Sequence, residues 1–321
     1  MPASVLVLRA LGLGDFLTGV PAYRGLRRAF PGHRLVLAAP APLAPLAPLT
    51  HAIDELLPTG ELQPIRWPGP APDIAIDLHG RGPASHQLVA ALRPRRLIVF
   101  GGEHAGDFTG PTWRPREHEV ARWCRLCRES GIPADPADLL LAPPQQVTPP
   151  FTLLHPGATA PARRWTAAGF AAVGRQLAAD GHDVRITGSE AERELASWVA
   201  RRAGLRRECV LAGQTSLDAL AALTASARLV ISGDTGMAHL ASAYARPSVT
   251  LFGPVSPAEW GPPPHPRHQV LWAARAGYRG DPHAARTDPA LCAITVNAVL
   301  EAAAAALRAA QPAAAAHVDS D

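Results

Sequence analysis

The sequence contains no lysine, so all 31 of its permanently charged basic side chains are arginines. Beside abundant alanine and proline, this absence reflects a coding bias as much as a functional choice. It still means that any full positive charge offered to a ligand must come from a guanidinium group, which is a planar donor fork. The net charge of +4 suits an acidic or phosphorylated ligand, and it is too small and too dispersed to indicate nucleic-acid binding.

Long apolar runs, a signal-peptide layout and a disulfide framework are also missing. No apolar run reaches membrane-spanning length, and the N-terminus leads directly into a strand-like run that contains Arg9. The four cysteines give no disulfide framework. Cys124 and Cys127 have CxxC spacing, but no second pair completes a zinc site, so two core thiols are the better interpretation. We expect a cytoplasmic protein without a metal site, and peripheral association with the inner face of the cell membrane stays open.

The order of apolar runs predicts an α/β fold in two domains. A length of 321 residues is too great for one ordinary core. Short apolar runs alternate with stretches of helical periodicity, which is typical of parallel sheets. We place an N-terminal domain at residues 1–148, a C-terminal domain at residues 149–310 and a disordered tail at residues 311–321. The Pro-rich segment 132–150 is interpreted as the linker.

Residues 233–239 connect a buried apolar run to a helix, and another apolar run follows. Such a connection lies at the carboxyl edge of a parallel sheet, where open α/β folds bind ligands. Its backbone N–H groups and the dipole of the following helix favour an anion, most simply a phosphate. An ordinary strand-to-helix turn capped by Asp234 explains the local pattern equally well.

Residues 155–164 form a second turn of this kind, which reaches Arg163 and Arg164. Together the two turns could surround a diphosphate, with arginine supplying the positive charge. Because the two arginines are adjacent, only one should face the phosphates, while the other is solvated or pairs with a carboxylate. His155 has two possible roles, a contact to the ligand or a hydrogen bond to neighbouring backbone. His239 is interpreted as a structural brace that stabilises its loop.

Residues 12–15 form a glycine-rich turn after the first strand. It is not the dinucleotide fingerprint, because Leu17 occupies the third glycine position and no acidic residue ends the second strand. Asp15 is the only carboxylate of this turn, and it can serve as a helix cap or as a catalytic base. A nucleotide held by one domain and a base offered by the other describe a two-domain group-transfer enzyme.

From about Val5 to Leu307, the sequence resembles glycosyltransferase family 9, the ADP-heptose heptosyltransferases. The order and spacing of four motifs carry the resemblance: Gly12 to Asp15 with Pro21 and Pro31; His155-Pro156-Gly157-Ala158 with Arg163-Arg164-Trp165; Gly188-Ser189-Glu190; and Asp234 to His239 with Phe252-Gly253-Pro254.

The resemblance implies the GT-B fold, in which two Rossmann-like parallel-sheet domains face a central cleft. The first domain would bind mainly the acceptor and the second the nucleotide-sugar donor, in an inverting transfer without an obligatory metal. Asp15 falls on the family's catalytic aspartate, and Arg163 stands where the family usually has a lysine that reaches the donor phosphates. Thr235 and Gly236 fall on phosphate-contacting backbone, and Glu190 on the residue that holds the donor ribose.

Further positions follow from the same motifs. The remaining donor-side residues are His155, Thr159, Arg164, Gly188, Asp234, Met237 and His239. The acceptor-side residues are Gly14 and Arg81, and Arg81 alone stands near the basic positions that members acting on phosphorylated acceptors carry.

The hypothesis is an inverting glycosyltransferase that moves a sugar, in the first instance heptose, from a nucleotide-diphosphate donor such as ADP-heptose to an acceptor hydroxyl. The acceptor would be a glycan, a glycolipid or a small molecule, and we expect a monomer that uses no cofactor. Two alternatives stay open: a GT-B nucleotide-sugar enzyme with a different donor, and a nucleotide-sugar-binding protein that has lost catalysis. The retention of Asp15 argues against the loss of catalysis.

Overall fold

The computed structural model describes residues 3–144 and 150–311. The predicted domain boundary at residues 148 and 149 therefore lies outside the described residues, and so does the predicted disordered tail beyond Gln311. Within the described ranges, the strands form two separate five-stranded sheets, one in each half of the chain.

The first half is an α/β layer structure around a parallel sheet in the order β3-β2-β1-β4-β5. Its strands are β1 (Ser4–Leu8), β2 (Arg34–Ala39), β3 (Glu55–Pro58), β4 (Ile74–Asp77) and β5 (Arg96–Ile98). Its helices are α1 (Leu13–Thr18), α2 (Val20–Ala29), α3 (Ala84–Ala90) and α4 (Glu119–Glu129). Every residue of β1 is buried, as expected for a central parallel strand that is covered on both faces.

The second half repeats this architecture with the strand order β10-β9-β8-β6-β7, again all parallel. Its strands are β6 (Thr152–His155), β7 (Val184–Ile186), β8 (Leu229–Gly233), β9 (Ser248–Leu251) and β10 (His268–Leu271). Its helices are α5 (Ala167–Ala179), α6 (Arg193–Ala203), α7 (Leu217–Ala225), α8 (Gly236–Ala243), α9 (Pro257–Trp260), α10 (Pro289–Cys292) and α11 (Val296–Ala310).

Each sheet has a point where the strand order reverses, between β1 and β4 in the first half and between β6 and β8 in the second. Ligands of open α/β sheets bind in the crevice beyond the strand ends at such a point. The turn with Asp15 follows β1, and the turns at residues 155–164 and 234–239 follow β6 and β8. The topology therefore brings the three predicted turns to the ligand-binding edges of their sheets.

Two predictions about secondary structure were wrong. Residues 210–212, predicted as a strand, contribute only a single bridge between Val210 and Ile186, because a 3-10 turn at Arg207–Cys209 leads directly into them. Residues 262–290, predicted as irregular, contain the strand β10. Its residues are half-buried, and its sequence has no apolar run that would indicate a strand. The interpretation of Cys124 and Cys127 as core thiols is confirmed, since both are free and buried.

The two halves pack directly against each other through α1 and α8. Leu240 and Ala243 of α8, with Tyr244 after it, belong to the same buried cluster as the core of the first half. This contact fixes the turn that carries Asp15 against the start of α8. None of the helices in the described ranges is both long enough and apolar enough to cross a membrane.

Candidate active site

A cavity of about 1020 Å³ opens between the two halves, and the three turns line it. Twelve of the fourteen predicted site residues contribute to its wall: Gly14, Asp15, His155, Thr159, Arg163, Arg164, Gly188, Asp234, Thr235, Gly236, Met237 and His239. The volume is at the upper end of the range typical of ligand pockets. The tertiary structure thus joins, in one site, residues that are more than 200 positions apart.

Asp15 lies inside the first turn of α1, with its side chain 28% exposed toward the cavity. Its predicted alternative as the helix cap was wrong, because Gly12 occupies the N-cap position. Burial raises the pKa of the Asp15 carboxyl above its ordinary value, and the Arg9 guanidinium 3.6 Å away opposes that rise. A carboxylate with a raised pKa is a better proton acceptor than an ordinary surface aspartate.

From the second half, the N-terminus of α8 presents its first N–H groups to the same cavity. Thr235 is the N-cap residue, and its hydroxyl oxygen accepts a hydrogen bond from the Met237 N–H at 3.3 Å. This geometry corrects the prediction that Asp234 caps the helix. A helix of this length carries a partial positive charge at its start, where an anion is favoured.

Asp234 is instead the buried partner of Arg163. The Arg163 Nη2 atom lies 3.0 Å from Asp234 Oδ2 and also donates to the Asp234 carbonyl oxygen. Arg164 turns back, and its Nε donates to the Ala158 carbonyl at 2.7 Å. We expected the arginine remote from the phosphates to be solvated or to pair with a carboxylate, whereas in the structure the carboxylate partner belongs to Arg163. The pairing holds the Arg163 guanidinium directly beside Thr235, at the start of α8.

His239 connects α8 to the Asp15 turn. A Cβ atom on Gly14 would lie 2.9 Å from the His239 Cδ2 atom, so the absence of a side chain at Gly14 allows the two helices to meet. The ring also packs against Trp260 at a centroid distance of 5.8 Å. Burial lowers the pKa of His239 to about 4, so the imidazole is neutral near pH 7. These contacts agree with its interpretation as a brace.

His155 ends β6 and lines the cavity. Its Nδ1 lies 3.1 Å from the Thr187 hydroxyl. Of the two alternatives for His155, a bond to neighbouring backbone is therefore replaced by a bond to a side chain, and a contact to the ligand is still compatible with its position in the cavity wall. Burial lowers the pKa of His155. The ring is therefore a neutral hydrogen-bonding group at the edge of the cavity.

Two predicted site residues lie elsewhere. Glu190 points to solvent and binds Arg193 through both carboxylate oxygens at 2.9 and 2.6 Å, because the two stand three residues apart in one helical turn. Arg81 is exposed and stands outside the cavity wall. These placements differ from the predicted contacts to the donor ribose and to the acceptor.

Several residues of the site were missed. Glu192 lines the cavity and accepts hydrogen bonds from the N–H and the hydroxyl of Ser189 at 2.8 and 2.9 Å, and its capping-box spacing was the signal that could have found it. Trp260 also lines the cavity. Arg9 and Glu119 lie behind Asp15. Arg9 could have been found from the sequence, because it is a charged residue at the end of a buried strand. No local sequence pattern indicates Glu119.

Within residues 3–144 and 150–311, no group of three or more His, Cys, Asp or Glu side chains could hold a metal ion.

Two Rossmann-like parallel sheets around a shared cleft, with a carboxylate on one side and a helix N-terminus beside an arginine on the other, are the GT-B arrangement of glycosyltransferases. A family model described as glycosyltransferase family 9 (heptosyltransferase) matches residues 114–285, and the chain belongs to this family. It is therefore a glycosyltransferase, as predicted.

Its relatives carry heptosyltransferase names. Lipopolysaccharide heptosyltransferase 2 of Escherichia coli K12 is 26% identical over 314 residues, which cover 83% of this chain and 87% of that protein. Lipopolysaccharide heptosyltransferase 1 of Pseudomonas aeruginosa PAO1 is 32% identical over 202 residues, 61% of this chain and 52% of that protein. The solved structure of E. coli ADP-heptose LPS heptosyltransferase II superimposes with a TM-score of 0.76 at 24% identity and covers 95% of this chain and 98% of its own, which confirms the fold.

Proposed function

We propose that this glycosyltransferase transfers heptose from ADP-heptose to a sugar hydroxyl with inversion at the anomeric carbon, and that Asp15 is the general base. One observation carries the proposal: the Asp15 carboxylate and the N-terminus of α8 with Arg163 line the same cavity from opposite halves of the chain. The contact of α1 with α8 holds the base and the anion site in one cavity. A single bound donor can therefore place its anomeric carbon near Asp15 while its diphosphate lies at the start of α8.

The proposed transfer forms one bond to the anomeric carbon and breaks another. The acceptor oxygen forms a bond to the anomeric carbon while its proton passes to Asp15, and the bond from that carbon to the diphosphate oxygen breaks. The electron pair of the broken bond leaves with ADP. Arg163 and the N–H groups of Thr235 and Gly236 stabilise the negative charge that grows on the diphosphate. Protein groups alone supply this stabilisation, and no metal ion takes part.

The donor and the acceptor are assigned from the relatives. The names of the E. coli proteins include ADP-heptose and lipopolysaccharide, and we extend both to this chain as a proposal. A heptosyl donor on ADP and an acceptor sugar of a lipopolysaccharide core are thus the first pair to test. Because Arg81 stands outside the cavity, the acceptor contacts in the first half are expected to come from the turn at Gly14 and Asp15.

Transfer by the Asp15→Asn variant tests the proposal. We expect turnover to fall by about 10²–10⁴-fold, the usual contribution of a general base, while the affinity for ADP-heptose stays near wild type because the donor lies on the other half. The rate of transfer is measured as the release of ADP in the presence of a lipopolysaccharide-core acceptor.

The Asp183→Asn variant is the matched control, since Asp183 is an exposed carboxylate that pairs with Arg185 at 2.9 Å, away from the cavity. It should keep wild-type turnover. Near-normal turnover of Asp15→Asn would refute the assignment of the base.

A further inference from the structure

Directly behind Asp15 lies an arginine with no exposed surface. Arg9 follows β1, and its Nε donates to the backbone carbonyl of Asp15. Its Nη2 donates to the Thr18 hydroxyl at 2.9 Å, and its Nη1 donates to the Leu78 carbonyl. This one guanidinium therefore ties the end of β4 to α1 and fixes the backbone at Asp15.

The charge of Arg9 is shared between two carboxylates. Its Nη2 lies 3.1 Å from Glu119 Oε1 and 3.6 Å from Asp15 Oδ1, so only Glu119 is within hydrogen-bonding distance. Glu119 is 5% exposed and reaches Arg9 from the first turn of α4. Asp15 holds the outer position and keeps its access to the cavity.

Glu119 is itself held in place from two directions. Its Oε1 also accepts a hydrogen bond from Trp123 Nε1 at 2.7 Å, and its Oε2 accepts one from Arg122 Nη1. The Arg9 guanidinium stacks over the Trp123 ring at 4.7 Å. A buried carboxylate persists only where its charge and its lone pairs are satisfied in this way.

We propose that Glu119 is a positioning residue for catalysis, which binds the Arg9 guanidinium so that the Asp15 carboxylate stays free to take the acceptor proton. The inference rests on the proposed function, in which Asp15 is the base. Without Glu119, the buried guanidinium would have Asp15 as its remaining carboxylate and would draw it inward into a closer ion pair. Closer pairing stabilises the charged form of Asp15 and makes it a weaker base.

Other titratable groups face Asp15 from the remaining elements. His239 comes from α8, Tyr23 from α2 and His79 from the end of β4. Burial lowers the pKa values of both histidines and raises the pKa of Tyr23, so all three are neutral near pH 7. The full charges beside Asp15 are therefore those of Arg9 and its carboxylate partner.

The pH dependence of kcat/KM for transfer, measured in wild type and in Glu119→Gln, tests the inference. Activity requires ionised Asp15 and rises with pH through its pKa. In Glu119→Gln we expect the acidic limb of the pH profile to move about 0.5–1 pH unit lower. This is a modest part of the 1–3 pH units by which a close opposite charge lowers the pKa of a carboxyl group. We also expect kcat at pH 8 to fall about threefold to tenfold, with the donor KM unchanged, since a weaker base transfers the proton less well.

The control is Glu117→Gln. Glu117 lies two residues before α4 and binds Arg125 through both oxygens at 2.8 Å, with side-chain exposures of 15% and 6% for the pair. Its loss removes a similarly enclosed ion pair from the same end of α4 without touching Arg9. The acidic limb of the pH profile should stay in place in Glu117→Gln. The inference is overturned if Glu117→Gln shifts the limb as far as Glu119→Gln does, or if Glu119→Gln does not shift it.

Two further variants complete the test. The double variant Glu119→Gln with Arg122→Gln removes one charge of each sign, so it is used if the single variant does not fold. Its acidic limb should move to lower pH as in Glu119→Gln. An unmoved limb would count against the inference. Asp15→Asn separates the two proposals. If it is inactive while the limb is unmoved in Glu119→Gln, only the role of Glu119 fails. If it is active, the proposed base and the inference fail together.

Discussion

At the scale of single residues, Arg163 already has a carboxylate partner at the place assigned to the diphosphate. Asp234 is buried, and burial raises its pKa while the guanidinium opposes that rise. A diphosphate carries more charge than one carboxylate and matches the guanidinium fork. We therefore expect the donor to share or replace the hydrogen bonds that Arg163 now gives to Asp234.

The two arginine variants of this loop should differ. Arg163→Ala should weaken donor binding and slow transfer together, because the interaction exists with the bound donor and strengthens as the leaving group gains charge. Arg164→Ala should do less, since the Arg164 Nε is turned toward the Ala158 carbonyl. Steady-state kcat and KM for ADP-heptose measure the difference.

Arg163→Lys is the matched control for charge. It should recover part of the loss, because it keeps the positive charge and lacks the donor fork. A larger loss of kcat/KM for Arg164→Ala than for Arg163→Ala would assign the phosphate contact to Arg164.

At the scale of elements, the contact of α1 with α8 sets the geometry between the base and the anion site. Gly14 and Gly236 face each other there, and a Cβ on Gly14 would lie 3.6 Å from the Gly236 Cα. A Cβ on Gly236 would lie 2.8 Å from Leu13 Cβ. Close approach of two backbones is thus what these glycines provide.

Gly236→Ala should therefore push the two helices apart and reduce kcat/KM by about tenfold or more, since a shift of about 1 Å at an active site can cost 10²-fold. Both kcat and the melting temperature should fall, because the contact also joins the cores of the two halves. Gly32→Ala is the control, as its added Cβ meets no atom within 4 Å. Wild-type kcat in Gly236→Ala would show that this contact does not set the catalytic geometry.

At the scale of the whole molecule, the cleft is formed by both sheets, so a ligand that fills it should stabilise the folded chain. A ligand that binds only the native state adds about 2.7 kcal/mol at a concentration 100 times its Kd. Occupancy of the cleft is therefore measurable as a shift in melting temperature without an acceptor.

We expect ADP to raise the melting temperature more than UDP or GDP at equal concentration, because the proposed donor is ADP-heptose. The measurement is thermal unfolding over a nucleotide series. AMP serves as the control for the diphosphate and should stabilise less than ADP, because it lacks the β-phosphate. Equal or greater stabilisation by UDP would reject ADP-heptose as the donor and leave the fold assignment intact.

The sequence by itself determined the two parallel sheets and the turns that follow β1, β6 and β8, because apolar periodicity and turn chemistry are local properties of the chain. It also placed Asp15 and the start of α8 in the site, since each lies in a motif whose residues are neighbours in sequence. β10 was missed because its half-buried strand carries no apolar run.

Only the tertiary structure decided which side chains became partners. Glu119 meets Arg9 across 110 positions and Arg163 meets Asp234 across 71, and no local pattern encodes a pairing at that range. The same holds for the cavity wall, where the helical turn after β7 presents Glu192 to the cleft and leaves Glu190 in solvent with Arg193. Burial then gave these charges their properties, because the pKa of Asp15 depends on the elements that enclose it.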